Sequence, residues 1–291
     1  MTLLSLVVQY AISGITCGSI YAIVGICWSI VYLIAKLLNF TTGEFVMLGG
    51  MLTWAFLGVG LGVVAAVPLA LACTVGIAII LERLVIRPIK YPTEMVYMMI
   101  TIASASVIKG IFLIGFGSET HTIELFAAKP IQVLGAWVPP QAICVITVLI
   151  LITVGLSLFI NRTLFGKALR ASAVNLNGAR LIGIDINKFR LFCFGLVGGL
   201  GALAGIVTTP ITFTGYNIGL MTGLKGLAAA IVAGWSLTAT VLVGVAIGLF
   251  EGFGAGFISP GWKDAFPFLI MIIYLIVKTI HFSPRQEKRK G

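Results

Sequence analysis

Long apolar runs alternate with short polar breaks along almost the whole chain. Runs near the roughly 20 residues that a helix needs to cross a bilayer fall at 7–34, 43–57, 63–84, 96–116, 141–160, 189–209, 241–257 and 265–280. A further run, 223–235, is apolar but short for a full crossing. It reads as a broken or tilted helix buried among its neighbours, which shelter irregular backbone at membrane depth. The expected fold is all-α: a polytopic transmembrane helical bundle of about 8–9 spans, with residues 1–291 forming a single membrane domain. The opening MTLLSLVV has no basic stretch and no small-residue cleavage pattern, so the first run is expected to stay as a span.

One polar island interrupts this pattern, at 161–190, where Arg162, Lys167, Arg170, Arg180, Lys188 and Arg190 stand against Asp185. Within it, Leu169, Ala173, Leu176 and Ala179 follow 4, 3 and 3 spacing, which draws one apolar stripe along a short amphipathic helix. Gly183 can take the left-handed conformation that closes such a helix, and Asp185 or Asn187 can cap the next. An amphipathic helix outside the membrane is expected to meet a soluble partner. The alternative is a solvated basic loop lying near lipid headgroups.

Composition sharpens the membrane reading. The chain is 59% hydrophobic and only 10% charged, with a mean hydropathy of +1.14, whereas soluble domains carry about 25% charged residues. The net charge of +10 then belongs to loops on one face and does not argue for nucleic acid. If the island and the basic tail at 282–291 are cytoplasmic and 223–235 crosses, fifteen of the nineteen cations lie inside. These are Lys36, Arg83, Arg87 and Lys90, the six of the island, and Lys278, Arg285, Lys288, Arg289 and Lys290. Lys129, Lys225 and Lys263 fall outside, and Lys109 within a span, where it can snorkel outward. The positive-inside rule therefore predicts the N-terminus outside and the C-terminus in the cytoplasm.

Inside the spans, Gly244, Gly248, Gly252 and Gly256 recur every four residues, and Gly14/Gly18, Gly195/Gly199 and Gly201/Gly205 repeat the spacing. Such ridges let helix backbones approach closely. Cys17, Cys27, Cys73, Cys144 and Cys193 are scattered singly and read as small packing residues. Glu44, Lys109 and Glu251 are the ionisable groups at or near membrane depth, and each should face the bundle or a wet cavity. Thr41 and Glu44 fit a capping box, which competes with a place for Glu44 on a translocation path. Glu251 lies too deep for capping, so an interhelical hydrogen bond comes first and a path role second. Thr101 and Ser104 add uncharged polarity. Thr208, Thr209, Thr212, Thr214, Tyr216 and Asn217 do the same near an outer span end, where Pro210 is expected to end its helix.

No catalytic or metal-ligating constellation stands out. His121 and His281 fall at opposite faces, and there is no HExxH, GxSxG or paired-carboxylate segment. Gly166-Lys167 is followed by Ala168, not Ser or Thr, and Asn161 stands where a phosphate-binding loop needs its first glycine. The chain is expected to be no enzyme and to hold no cofactor; any ATP would be bound by another subunit.

At the island the chain resembles the permease subunits of ABC importers, whose cytoplasmic loop carries an E-A-A-x-x-x-G core. The matching residues are Asn177, Gly178, Ala179 and Gly183, with Gly in place of the first Ala and Asn in place of the acid. LNFTTGEFVMLGG at 38–50 and ERLVIRPIKYP at 82–92 are similar to segments of the branched-chain amino-acid permease family. TLFGKALRASAVNLNGARLIGI, GLVGGLGALAGIV and GLKGLAAAIVAGW then follow in that family's order, so the likeness covers about residues 5–280. The resemblance implies an inner-membrane permease that forms a translocation path with a second permease subunit, homologous or identical. Two ATPase subunits would dock on the cytoplasmic loops, and a periplasmic or lipid-tethered binding protein would deliver an amino acid such as leucine, isoleucine or valine. It makes Asn177, Gly178, Ala179, Gly183, Arg170 and Arg180 the ATPase-coupling residues. Glu44, Thr101, Ser104 and Glu251 are the candidates for the path or the polar bundle interior. The rival class is a secondary transporter or channel for a small polar solute, separated by whether transport follows ATP or an ion gradient.

Overall fold

A computed structural model describes residues 3–36, 38–89, 93–123, 130–133, 135–181 and 183–282. The chain is an all-α bundle. Its first half comprises α1 (Leu3–Ala35), α2 (Thr42–Gly58), α3 (Val63–Leu81), α4 (Glu94–Phe116) and α5 (Pro140–Arg162). Then come α6 (Leu164–Val174), α7 (Leu176–Leu181), α8 (Ile186–Thr212), α9 (Ile218–Val232), α10 (Leu237–Phe257) and α11 (Ala265–Phe282). Among the described residues, six helices are long and apolar enough to cross a membrane: α1, α3, α4, α5, α8 and α10. The basic tail after Phe282, with Lys90 and Lys129, lies outside the described residues.

Helix α1 is the axis. It is apolar all round and mostly buried, the signature of a helix with neighbours on every side. The α10 glycines lie along it antiparallel. A methyl on Gly14 would stand 2.8 Å from the Gly248 carbonyl oxygen, and one on Gly248 would overlap the Gly18 backbone. A second seam joins α2 to α8, where a methyl on Gly205 would collide with the Val46 carbonyl. Both ridges thus act as close-packing surfaces. The outward faces of α4, α5 and α11 expose Ile114, Leu151 and Ile273, among others, as a bilayer-facing surface must.

The start of helix α2 is buried, with Asn39, Thr41, Thr42 and Glu44 at 0–2% exposure. After α1 the chain turns at Lys36 (φ 54°) and folds back, so that Phe40 meets the Trp28 ring edge-on at 5.4 Å. The Phe40 amide donates to Thr101 Oγ1 (3.3 Å), and Trp28 Nε1 donates to the Gly223 carbonyl (2.9 Å). The first turn of α2 is therefore set among α1, α4 and α9. Helix α9 is the short buried helix expected at 223–235, but it starts earlier.

Two local expectations are corrected, and one element is new. Pro210 does not end α8, which runs on to Thr212. The hydroxyls of Thr208 and Thr209 donate to the carbonyls of Ala204 and Gly205, tying the turn that precedes the proline into the helix. The island is not one helix but two, α6 and α7, broken at Asn175, whose Oδ1 accepts from the Gly178 amide (3.0 Å). A small antiparallel hairpin, β1 (Ile131–Val133) with β2 (Ala136–Val138), turns at Gly135 (φ 83°). Gln9 of α1 clamps the hairpin through the backbone of Trp137.

Candidate functional site

The island presents two faces, set by its caps. Thr163 Oγ1 accepts from Gly166 N (3.1 Å) and starts α6. Gly183, at φ 88°, makes the left-handed turn after α7. Asp185 accepts from the amides of Asn187 and Lys188 and starts α8. The Lys188 amide is the main influence holding the Asp185 carboxyl below its usual range. Leu169 and Ala179 of the predicted stripe are buried at 4% and 2% exposure. Leu169 packs into the hydrophobic core, so this part of the stripe faces the chain's own bundle. The island's exposed apolar residues include Leu164 (81%), Val174 (88%) and Leu181 (89%). Arg170 Nη1 donates to Asn161 Oδ1 (2.7 Å) at the edge of a cavity of about 600 Å³ that reaches Leu33 and Trp235. The side chains of Leu176, Asn177 and Arg180 lie outside the described residues.

Sequence reasoning missed how the island is anchored. Arg190 Nε pairs with Glu82 Oε1 at 2.7 Å, and Glu82 is fully buried at the end of α3. There the helix widens into a π turn over Glu82–Ile86. A buried carboxylate requires a counter-charge, and the lone acid of ERLVIRP was the available signal.

At the start of α2 the expected capping box does not form. Thr41 Oγ1 donates to Asn39 Oδ1 (2.7 Å) instead of capping the helix. The Glu44 carboxylate is buried and turned toward α9, where a methyl on Gly219 would stand 2.7 Å from its Oε2. Glu44 shares a cavity of about 120 Å³ with Phe40, Ser106 and Lys109. Lys109 does not snorkel freely: its ammonium bonds to Asn217 Oδ1 and lies over the Tyr216 ring. Thr101 joins this region through Phe40. Ser104 does not, since its hydroxyl donates to Ile100 of its own helix.

Glu251 is the centre of a buried ion cluster. Tyr21 Oη donates to its Oε1 (2.9 Å), and Lys225 Nζ reaches Oε1 at 3.1 Å and Oε2 at 3.2 Å. The interhelical bond expected of Glu251 is thus present. Lys225, expected outside, is 5% exposed within α9. From the α10–α11 connection, Asp264 Oδ1 comes to 2.7 Å from Lys225 Nζ, and Lys263 Nζ to 3.7 Å from Glu251 Oε1. Lys225's hydrogen bond is the largest influence holding the Asp264 carboxyl below its usual range. The signal for Lys225 was a single cation inside the run GLKGLAAAIVAGW.

Comparison with known proteins adds independent observations. The family model described as "Branched-chain amino acid transport system / permease component" matches residues 10–275. The chain is 26% identical to the high-affinity branched-chain amino acid transport system permease protein BraD of Pseudomonas aeruginosa, over 97% of each sequence. It is 27% identical to the corresponding permease LivH of Escherichia coli, again over 97% of each. Among solved structures, PsaBC from Streptococcus pneumoniae in complex with Fab aligns with a TM-score of 0.52 at 16% identity. That alignment covers 94% of this chain and 91% of that one, a likeness of fold.

Proposed function

The chain belongs to the family of permease components of branched-chain amino acid transport systems, and from that premise we propose that it is one membrane half of an ATP-driven importer of branched-chain amino acids. A second permease subunit, homologous or identical, completes the translocation path. Two ATPase subunits dock on the island from the cytoplasm, and a binding protein delivers substrate to the opposite face. The N-terminus lies outside, and the island and the basic tail inside. The chain binds no nucleotide itself; ATP stays with its partners. Motion at the island passes into the bundle by two routes: Leu169 packed into the core, and Arg190 paired with Glu82.

The exposure of Val174 and Leu181 on a basic segment outside the spans carries this reading. Covering an aliphatic side chain of this size stabilises by about 1.5–3 kcal/mol, so these two residues suit an apolar groove on a soluble partner. Val174→Asp and Leu181→Asp should leave membrane insertion and folded yield unchanged, because both side chains are almost wholly exposed. ATPase co-purification, or ATP hydrolysis stimulated by the loaded binding protein, should be lost. A complex that assembles and hydrolyses ATP normally with both substitutions would refute docking at this face. Ala179→Asp is the poorer test, because it buries a charge within the chain itself.

A further inference from the structure

We propose that the cavity of about 400 Å³ between Tyr21, Thr208, Asn217, Lys225 and Asp264 is a vestibule for a free zwitterionic amino acid, whose carboxylate takes the place of Asp264 on the Lys225 ammonium. The inference rests on the importer reading above and adds a substrate site on the face away from the island.

The argument begins with the ammonium. Lys225 Nζ has oxygens of Tyr21, Glu251 and Asp264 within 3.2 Å, four acceptor atoms in all. An ammonium has only three donors, so one acceptor is exchangeable without stranding a proton. The partners differ in how they are held. Tyr21 and Glu251 are buried on long helices. Asp264 stands on the connection before α11, with its side chain 68% exposed. Asp264 is therefore the partner that can leave.

Its departure has a chemical condition. Glu251 and Asp264 balance Lys225 and Lys263, so a bare carboxylate entering the cavity would leave Asp264 without its lysine. A zwitterion meets the condition, since its ammonium takes the freed Asp264 while its carboxylate takes Lys225. Ile20, Ile218 and Met221 line the same cavity and give an aliphatic side chain somewhere to lie. The volume falls within the roughly 300–1,000 Å³ of small-molecule sites.

Cys17 lines this cavity and is a native reporter. The complete complex, with Cys17 as its only cysteine, is reconstituted in proteoliposomes and labelled with a membrane-impermeant maleimide from the Asp264 side. Leucine should slow labelling roughly ten-fold at ten times its dissociation constant. Leucinol, which lacks the carboxylate, and 4-methylpentanoate, which lacks the amine, should not. In Asp264→Asn, an exposed and nearly isosteric change, 4-methylpentanoate should protect as well as leucine, because no displaced anion then needs a partner. Equal protection by leucinol, unreactive Cys17, or no gain for 4-methylpentanoate in Asp264→Asn would each overturn the proposal. Uptake in the same vesicles separates the two readings. ATP-driven leucine uptake with Cys17 unprotected removes the vestibule and leaves the importer, whereas no ATP-driven uptake of any amino acid removes both.

Discussion

Glu251 shows what a single carboxylate does at membrane depth. Removing one partner of a buried ion pair costs roughly 3–5 kcal/mol, because the other charge stays in low dielectric. Glu251→Leu would leave Lys225 with Asp264 and Tyr21, so the lower end of that range applies. A clear fall in detergent melting temperature and folded yield is expected. Glu251→Gln keeps an acceptor for Tyr21 and should cost less. The neutral pair Lys225→Met with Glu251→Leu should recover most of the loss. Wild-type melting of the single Leu variant would show that the cluster does not hold the bundle. Glu251 was legible in the sequence because an acid deep in a span cannot face lipid. Lys225 was not, because its partner Tyr21 lies 204 residues away and a lone lysine in a short apolar run suits a loop equally well. Glu44 misled for a local reason: Thr41 and Glu44 have capping-box spacing, but Asn39 takes the Thr41 hydroxyl first.

Between elements, the join of α3 to α8 is the contact most open to test. In the route proposed from the island, Arg190 of α8 pairs with the fully buried carboxylate of Glu82. Arg190→Ala should lower thermal stability and weaken the response of ATP hydrolysis to loaded binding protein. Adding Glu82→Gln should restore part of the stability by removing the stranded charge, without restoring the response. Additive losses in this double-mutant cycle would mean that the two residues do not act together. Helix periodicity located the island and its closing glycine, and Gly183 does sit at positive φ. Periodicity could not say which way the stripe faces, because packing on one's own bundle and packing on a partner leave the same 4, 3, 3 pattern. Nor did it show the break at Asn175, where one side chain's cap ends one helix and starts another.

At the scale of the whole molecule, the two ends differ in chemistry, and that difference fixes the orientation test. Helix α8 leaves the island at Ile186 and runs for 27 residues to Thr212, a rise of about 40 Å. Just beyond, Thr214 bridges to the backbone of His121 at 2.7 Å. Thr122 and Val174 therefore lie at opposite ends of the bundle, both exposed. By the positive-inside rule, the excess of Lys and Arg at the island end predicts that this end faces the cytoplasm. In a cysteine-free background, a cysteine at Thr122 should react with an impermeant thiol reagent applied to intact cells. One at Val174 should react only after the membrane is permeabilised. Ser172, two residues earlier, is buried at 1% exposure and would stay silent from either side, so Val174 is the informative position. Labelling at Val174 in intact cells would invert the chain. The ATPases would then have no route to Val174 and Leu181, and the Lys225 vestibule would open to the cytoplasm.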